Sequence, residues 1–204
     1  MSVEYVEKVY NTYSSFYDWI FGPVFNSGRE MAPELLNLFP GVRLLEVGAG
    51  TGLTIAELPR NVEITGVDLS QKMLNKAHKR MARLGRADVH LLKMDATRLE
   101  FEDNSFDRVL AAYFVSTVPD PIRVVHEMKR VCKPGGIIVI LNHFTYEMPL
   151  VGAIERFFSP LCYRIGFRTD LSAGLIEECG LEFDRFEKID FMGHWKAVRC
   201  FNRK

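Results

Sequence analysis

Between Leu44 and Thr54 the stretch LLEVGAGTGLT sets an acid, Glu46, two residues ahead of the closely spaced glycines Gly48, Gly50 and Gly52. Glycine lets a backbone take left-handed dihedrals and come close to a ligand. An apolar run precedes this loop and a helical pattern follows it, the context in which doubly wound α/β sheets bind ligands. The dinucleotide fingerprint G-x-G-x-x-G would need its third glycine at position 53, and that position is Leu53. No G-x-x-x-x-G-K-[ST] phosphate loop occurs. A second acid, Asp68, ends the next apolar run, EITGVD, where a carboxylate can accept hydrogen bonds from both hydroxyls of a ribose. That feature points to a nucleoside without saying which one. A third acid, Asp95 in LLKMDAT, follows the third run. Singly, Asp68 or Asp95 could be a turn or cap residue; their ordered placement at successive strand ends is what sets them apart.

The elements that must position these groups alternate. RLLEVG reads as a first strand, TIAELP as a helix stopped by Pro59, and EITGVDLS as a second strand whose Ser70 can cap the helix QKMLNKAHKRMARLG, ended by Gly85. VHLLKMDA is a third strand and FDRVLAAYFV a fourth. DPIRVVHEMKRVC is a helix, and KPGG turns into a fifth strand, IIVILNHF. Strands alternating with helices imply crossover connections and a mostly parallel sheet. The tail EFDRFEKIDFMGHWKAVRCFNRK has two alternating runs about Met192-Gly193, an antiparallel hairpin that would finish the sheet. Upstream, Val3, Val6, Tyr10, Tyr13, Tyr17, Ile20 and Phe21 recur at helical spacing, which predicts one amphipathic helix ending near Gly22-Pro23.

In its acid followed by G-x-G-x-G, EVGAGTG, the sequence resembles the class I S-adenosylmethionine-dependent methyltransferases. The resemblance implies a Rossmann-like α/β fold: a doubly wound, mostly parallel seven-stranded sheet with a C-terminal antiparallel hairpin and an N-terminal amphipathic helix. It also implies S-adenosylmethionine as cofactor and S-adenosylhomocysteine as product. The methionine part of that cofactor is a zwitterion and the sulfonium is cationic, with no pyrophosphate. A carboxylate at Glu46 suits an ammonium group and would oppose a diphosphate. The family's pattern carries cofactor contacts onto Tyr17, Glu46, Gly48, Ala49, Gly50, Gly52, Asp68, Leu69, Met73, Asp95, Ala96, Ala112 and Tyr113. Asp95 would take the adenine amino group, Ala96 would line the adenine pocket, and Ala112 and Tyr113 would flank the bound cofactor. CKPGG stands where the family has LKPGG before strand five.

Signals outside that core resemble the bacterial phospholipid N-methyltransferases, which convert phosphatidylethanolamine toward phosphatidylcholine. They are the tyrosine-bearing helix, a Y-D-x-x-F-G stretch (Tyr17, Asp18, Phe21, Gly22), the pair Gly28-Arg29, VPDP, and Asn142-His143 after strand five. The resemblance implies a phospholipid acceptor at a membrane surface. An amine acceptor must lose a proton to present its lone pair, and Tyr10 and His143 are the candidates to orient it and relay that proton. Tyr10 and its neighbours Tyr13 and Tyr17 could equally cover the cofactor, and His143 could cap a loop carbonyl. Tyr13, Arg29, Arg164 and Arg168 are candidate substrate contacts, although Arg29 could instead pair with Asp18 or Glu30. The aromatic, arginine-bearing stretch from Phe144 to Arg168 reads as a lid that also meets phosphates. Both it and the N-terminal helix could instead simply cover the sheet. A soluble small-molecule or quinone-precursor methyltransferase is the alternative function.

Composition narrows the rest. The 204 residues fit one domain, divided as 1–40 helical lid or membrane segment, 41–145 cofactor core, 146–168 insertion, and 169–204 last helix and hairpin. Twenty-six basic residues balance 26 acidic ones, so no global charge draws the chain to nucleic acid or anionic lipid. Neither a [DNS]-P-P-[YF] stretch nor a Pro-Cys pair occurs, which argues against a DNA substrate. The histidines are scattered, with no metal-ligand spacing. Cys132, Cys162, Cys179 and Cys200 form no close pair, as in reduced cytoplasmic proteins. The start lacks the pattern of a secretory signal, and no apolar run approaches the ~18 residues of a membrane span. The expectation is a cytoplasmic enzyme held peripherally at the inner face of the membrane.

Overall fold

The computed structural model describes residues 3–13, 17–144, 171, 174–190 and 195–204. The stretch 146–168 with Arg164 and Arg168, and the Met192-Gly193 turn, lie outside the described residues. So do the side chains of Tyr13 and Tyr17.

Seven strands form one sheet: β1 (Arg43–Val47), β2 (Glu63–Asp68), β3 (Val89–Lys93), β4 (Phe106–Ala112), β5 (Cys132–His143), β6 (Glu182–Lys188) and β7 (Trp195–Phe201). Their spatial order is β3-β2-β1-β4-β5-β7-β6. The first five run parallel, and β7 enters antiparallel between β5 and β6. The chain moves outward from β1 through β2 to β3, then returns to place β4 on the other side of β1. That reversal opens a crevice at the carboxyl ends of β1 and β4, where such sheets bind ligands.

Burial follows from the strand sequences. β1 is buried after its first residue and β5 from Gly136 onward, as expected of strands covered on both faces. Leu44, Ile64, Leu110 and Val139 face one core; Val47, Val109, Ile138 and Val198 face the other. The helices that cover these faces have legible ends. In α5 (Gln71–Leu84), the Ser70 hydroxyl accepts from Met73 N at 3.1 Å and Gly85 closes the helix at φ 62°. In α6 (Pro121–Val131), proline opens the first turn and Asp120 Oδ1 accepts from Arg123 N at 3.0 Å. The short α4 (Leu53–Glu57) stops because Leu58, ahead of Pro59, is extended with ψ 149°. A further short helix, α7 (Gly174–Glu178), precedes β6.

The N-terminal segment carries α1 (Val3–Tyr13) and α2 (Tyr17–Val24), with Gly22 and Pro23 inside α2. A third helix, α3 (Asn26–Leu35), forms despite Gly28 and Pro33, because Ala32 and Leu35 are buried against the sheet and tertiary packing outweighs weak propensity. The fourth strand ends at Ala112, since Tyr113 takes φ 58° and turns the chain into a 3-10 turn at Val115–Thr117. KPGG sits within β5: Phe106 pairs with Cys132 and Arg108 with Ile137, so a bulge absorbs the turn residues.

Candidate active site

Three connected compartments occupy the crevice, and all three are lined by Gly48. The central one lies beneath α1 and meets Tyr10, Gly50, Asp68, Leu69, Met73 and Tyr113. A second, toward β3, is lined by Asp68, Leu69, Asp95 and Ala96. The third, toward α3, is lined by Arg29, Glu46, Ala49, Gly50, Ala112 and Tyr113. Gly52 lines none of these three. It sits ahead of α4 at φ 76°, facing Ala77 and Met81 of α5, so its part is to let the helices pack.

The acids differ in environment. Glu46 is 1% exposed and its Oε2 has no hydrogen-bond partner among the described residues. Burial, helped by the nearby Asp68 charge, lifts its pKa from an ordinary 4.5 to about 8, against the Thr54 side chain and the Arg29 charge. Asp68 stands at the tip of β2. Its Oδ2 accepts the Gly50 N–H at 2.9 Å and its Oδ1 the Ser70 N–H at 2.8 Å. Burial raises its pKa from 3.8 to about 6 in spite of those donors. A carboxylate has about four lone-pair sites, so two remain for ligand hydroxyls. Asp95 Oδ1 accepts both the N–H and the hydroxyl of Thr97, at 2.8 and 2.9 Å, which leaves Oδ2 outside these bonds.

A family model described as a methyltransferase domain matches residues 45–140. A phosphatidylethanolamine N-methyltransferase of Cereibacter sphaeroides is 38% identical over 173 residues, 84% of this chain and 84% of the relative. A demethylmenaquinone methyltransferase of Bacillus velezensis is 34% identical, over 79% of this chain and 70% of the relative. The chain belongs to the class I S-adenosylmethionine-dependent methyltransferases. Its cofactor is S-adenosylmethionine. The fold agrees with the Haemonchus contortus phosphoethanolamine N-methyltransferase 2, solved with S-adenosylmethionine: TM-score 0.76 and 20% identity, covering 95% of this chain and 57% of that one.

The crevice of this methyltransferase suits such a cofactor. A buried acid with an unpartnered oxygen, set in the same compartment as a guanidinium, matches a zwitterion and would repel a diphosphate. Bound there, the cofactor supplies an electrophilic methyl group. The chain's own task is to hold a nucleophile in line with it and to keep water out. Among the described residues no group of three metal-ligating side chains occurs.

Other predicted residues fall in different places. Tyr10 lines the central compartment from α1. His143 lies at the end of β5, opposite Trp195 of β7, with the ring centroids 5.7 Å apart; the three compartments are lined without it. Trp195 also meets Tyr113 edge-on at 5.3 Å, so it contacts both His143 and the cleft wall. Asn142 is structural: its Oδ1 accepts from Ser116 N at 3.3 Å and its Nδ2 donates to the His143 carbonyl at 2.7 Å. Arg29 is 4% exposed, donates to the Gly22 carbonyl and to Asn26 Oδ1, and faces the Glu46 compartment. Glu30 accepts from Asn26, and Asp18 from Arg80 and Thr51. Sequence reasoning missed Phe114, whose ring stands where a Cβ on Gly48 would be. Its position directly after Ala112-Tyr113 is the signal that could have found it.

Proposed function

We propose that this methyltransferase transfers methyl groups to the amine of phosphatidylethanolamine, toward phosphatidylcholine, at a membrane surface. The 38% identity to a phosphatidylethanolamine N-methyltransferase, over 84% of both chains, carries this reading. The exposed surface agrees with it. Trp19 is 82% exposed and Val24 60% exposed, both on α2, the helix that also touches the glycine loop through Asp18. A helix that exposes apolar side chains, a tryptophan among them, suits a headgroup boundary. The association proposed is peripheral, at the inner face; no helix among the described residues is long and apolar enough to cross a membrane.

In this reading Glu46 and Arg29 receive the ammonium and carboxylate of the cofactor's methionine, Asp68 its ribose, and Asp95 with Ala96 its adenine. Tyr10, on the roof of the central compartment, orients the acceptor amine and takes part in removing its proton. His143 would act from behind Tyr113, in company with Trp195. Arg164 and Arg168 remain candidates for the lipid phosphate.

The demethylmenaquinone methyltransferases favour a second reading, methylation of a quinone-precursor ring carbon. Incubation with methyl-labelled S-adenosylmethionine and vesicles separates the two. Label in mono- and dimethylated phosphatidylethanolamine supports the first. Label only in added demethylmenaquinone, with none in phosphatidylethanolamine, rejects it.

A further inference from the structure

Contacts from α1 and α2 reach three separate parts of the cofactor crevice. Glu7 Oε1 accepts from Lys93 Nζ at 2.9 Å, at the end of β3. Asn11 Oδ1 accepts from Ser70 Oγ at 2.6 Å, at the cap of α5. Asp18 makes the most connected contact. Its Oδ1 accepts from Thr51 Oγ1 at 2.5 Å and its Oδ2 from Arg80 Nη2 at 2.5 Å, while Arg80 Nε donates to the Thr51 carbonyl at 3.1 Å. Asp18, Thr51 and Arg80 therefore close a ring in which each touches the other two.

Thr51 is the polar side chain of the Gly48-Ala49-Gly50-Thr51-Gly52 loop and is 2% exposed. The loop holds φ of 78°, 55° and 76° at its glycines. Three glycines leave such a loop with high conformational entropy and little intrinsic preference for one shape. Something outside it must select the shape that receives a ligand. Asp68 does so from β2 by accepting the Gly50 N–H. Asp18 does so from α2 by accepting the Thr51 hydroxyl, and Val6 and Tyr10 of α1 line the central compartment that the loop's Gly48 and Gly50 also line.

We propose that Asp18 is a positioning residue that locks the cofactor loop to α2 through Thr51 and Arg80, so that cofactor binding and closure of the N-terminal helices are one coupled equilibrium. The inference rests on this loop being the one that holds S-adenosylmethionine, and on nothing about the acceptor. Coupling is reciprocal: whatever orders the loop tightens α2, and whatever pulls α2 away loosens the loop. Because both oxygens of the Asp18 carboxylate are engaged, Asp18→Asn replaces charge-assisted bonds with weaker ones and leaves the amide nitrogen facing a donor.

The experiment measures S-adenosylhomocysteine binding calorimetrically, its dissociation rate by chase, and hydrogen exchange of the α2 amides with and without it. Wild-type protein should show slower α2 exchange when S-adenosylhomocysteine is bound. Asp18→Asn should weaken binding about tenfold, chiefly through faster dissociation, and should lose the ligand-dependent slowing of exchange. Thr51→Val should do the same, and Asp18→Asn combined with Thr51→Val should cost less than the two separately. A role confined to holding the fold together would lower stability without removing the ligand dependence of α2 exchange. Folded Asp18→Asn protein with affinity within twofold of wild type, or with the slowing retained, overturns the proposal. Where Asp18→Asn does not fold, Arg80→Gln decides by the same readouts. Wild-type protein that binds no S-adenosylhomocysteine would overturn the cofactor site itself, a failure distinguishable from one seen only in the variants.

Discussion

The hydroxyl of Tyr113 occupies the place where a Cβ on Gly28 would stand. Tyr113 holds φ 58°, stacks on Phe25 at 4.0 Å and donates to the Phe25 carbonyl at 3.2 Å, so it pins the start of α3 to the end of β4. Gly28 is thus required by close approach within a helix and not by its own dihedrals. Gly28→Ala should destabilise the protein by roughly 1–3 kcal/mol through overpacking. Tyr113→Phe alone should cost about 1 kcal/mol for the lost hydrogen bond. Denaturant unfolding of the double variant should show less than the sum, because removing the hydroxyl opens the space that alanine needs.

Buried Glu46 and Asp68 give the ligand-free protein a signed pH dependence. Each is raised in the fold, Glu46 from 4.5 to about 8 and Asp68 from 3.8 to about 6. Between the two values of each group the native state binds more protons than the unfolded one, so stability from that group is complete below the lower value and lost as pH rises through the upper. Thermal unfolding without ligand should therefore show a melting temperature that falls from pH 5 to pH 8, steeply in wild type and less in Glu46→Gln. S-adenosylmethionine should reverse the trend. Its binding at pH 7 should release protons, detectable as a buffer-dependent calorimetric enthalpy that Glu46→Gln abolishes. A flat melting profile in wild type contradicts the assignment.

The loop glycines separate into two kinds. A Cβ on Gly50 finds nothing closer than the Gly48 carbonyl at 4.0 Å, whereas one on Gly48 runs into the Phe114 ring. Gly50→Ala should lose only about 1–2 kcal/mol of stability, from its φ of 55°, while cofactor binding falls far more. Gly48→Ala should lose both together. Paired unfolding and calorimetric measurements on the two variants test this contrast.

Trp19 and Val24 have little packing to lose. Replacing Trp19 by Ser and Val24 by Asp should leave the melting temperature within about 2 °C of wild type, as surface changes usually do. Co-sedimentation with phosphatidylethanolamine vesicles should fall by about tenfold or more, since burying an aromatic side chain is worth roughly 1.5–3 kcal/mol. Methylation of a short-chain, water-dispersed phosphatidylethanolamine should change much less. Unaltered vesicle binding would remove the membrane role from α2.

Much of the cofactor crevice was legible because its signals are local. Glu46, Gly48, Gly50, Asp68 and Asp95 each sit at a strand end, and strand ends can be read from short apolar runs and the turn residues after them. Ser70 and Gly85 marked helix ends for the same reason: a cap is a property of a few consecutive residues. The parallel run of the first five strands was implied by their alternation with helices, and the antiparallel β6 and β7 by alternation in the tail, while the order of the strands in the sheet was not.

What the sequence determined by itself is therefore the chemistry of the loop and the acids, together with the α/β framework that lines them up. Tertiary structure alone decided which distant groups meet them. Asp18 meets Thr51 across 33 positions and Arg80 across 62; Arg29 turns inward toward Glu46; His143 stands behind Tyr113 with Trp195. Periodicity reports which face of a segment is apolar, but it carries no record of which remote segment will cover that face. That choice is made by packing and by the need of each buried polar atom for a partner, and both are settled only when the whole chain has collapsed.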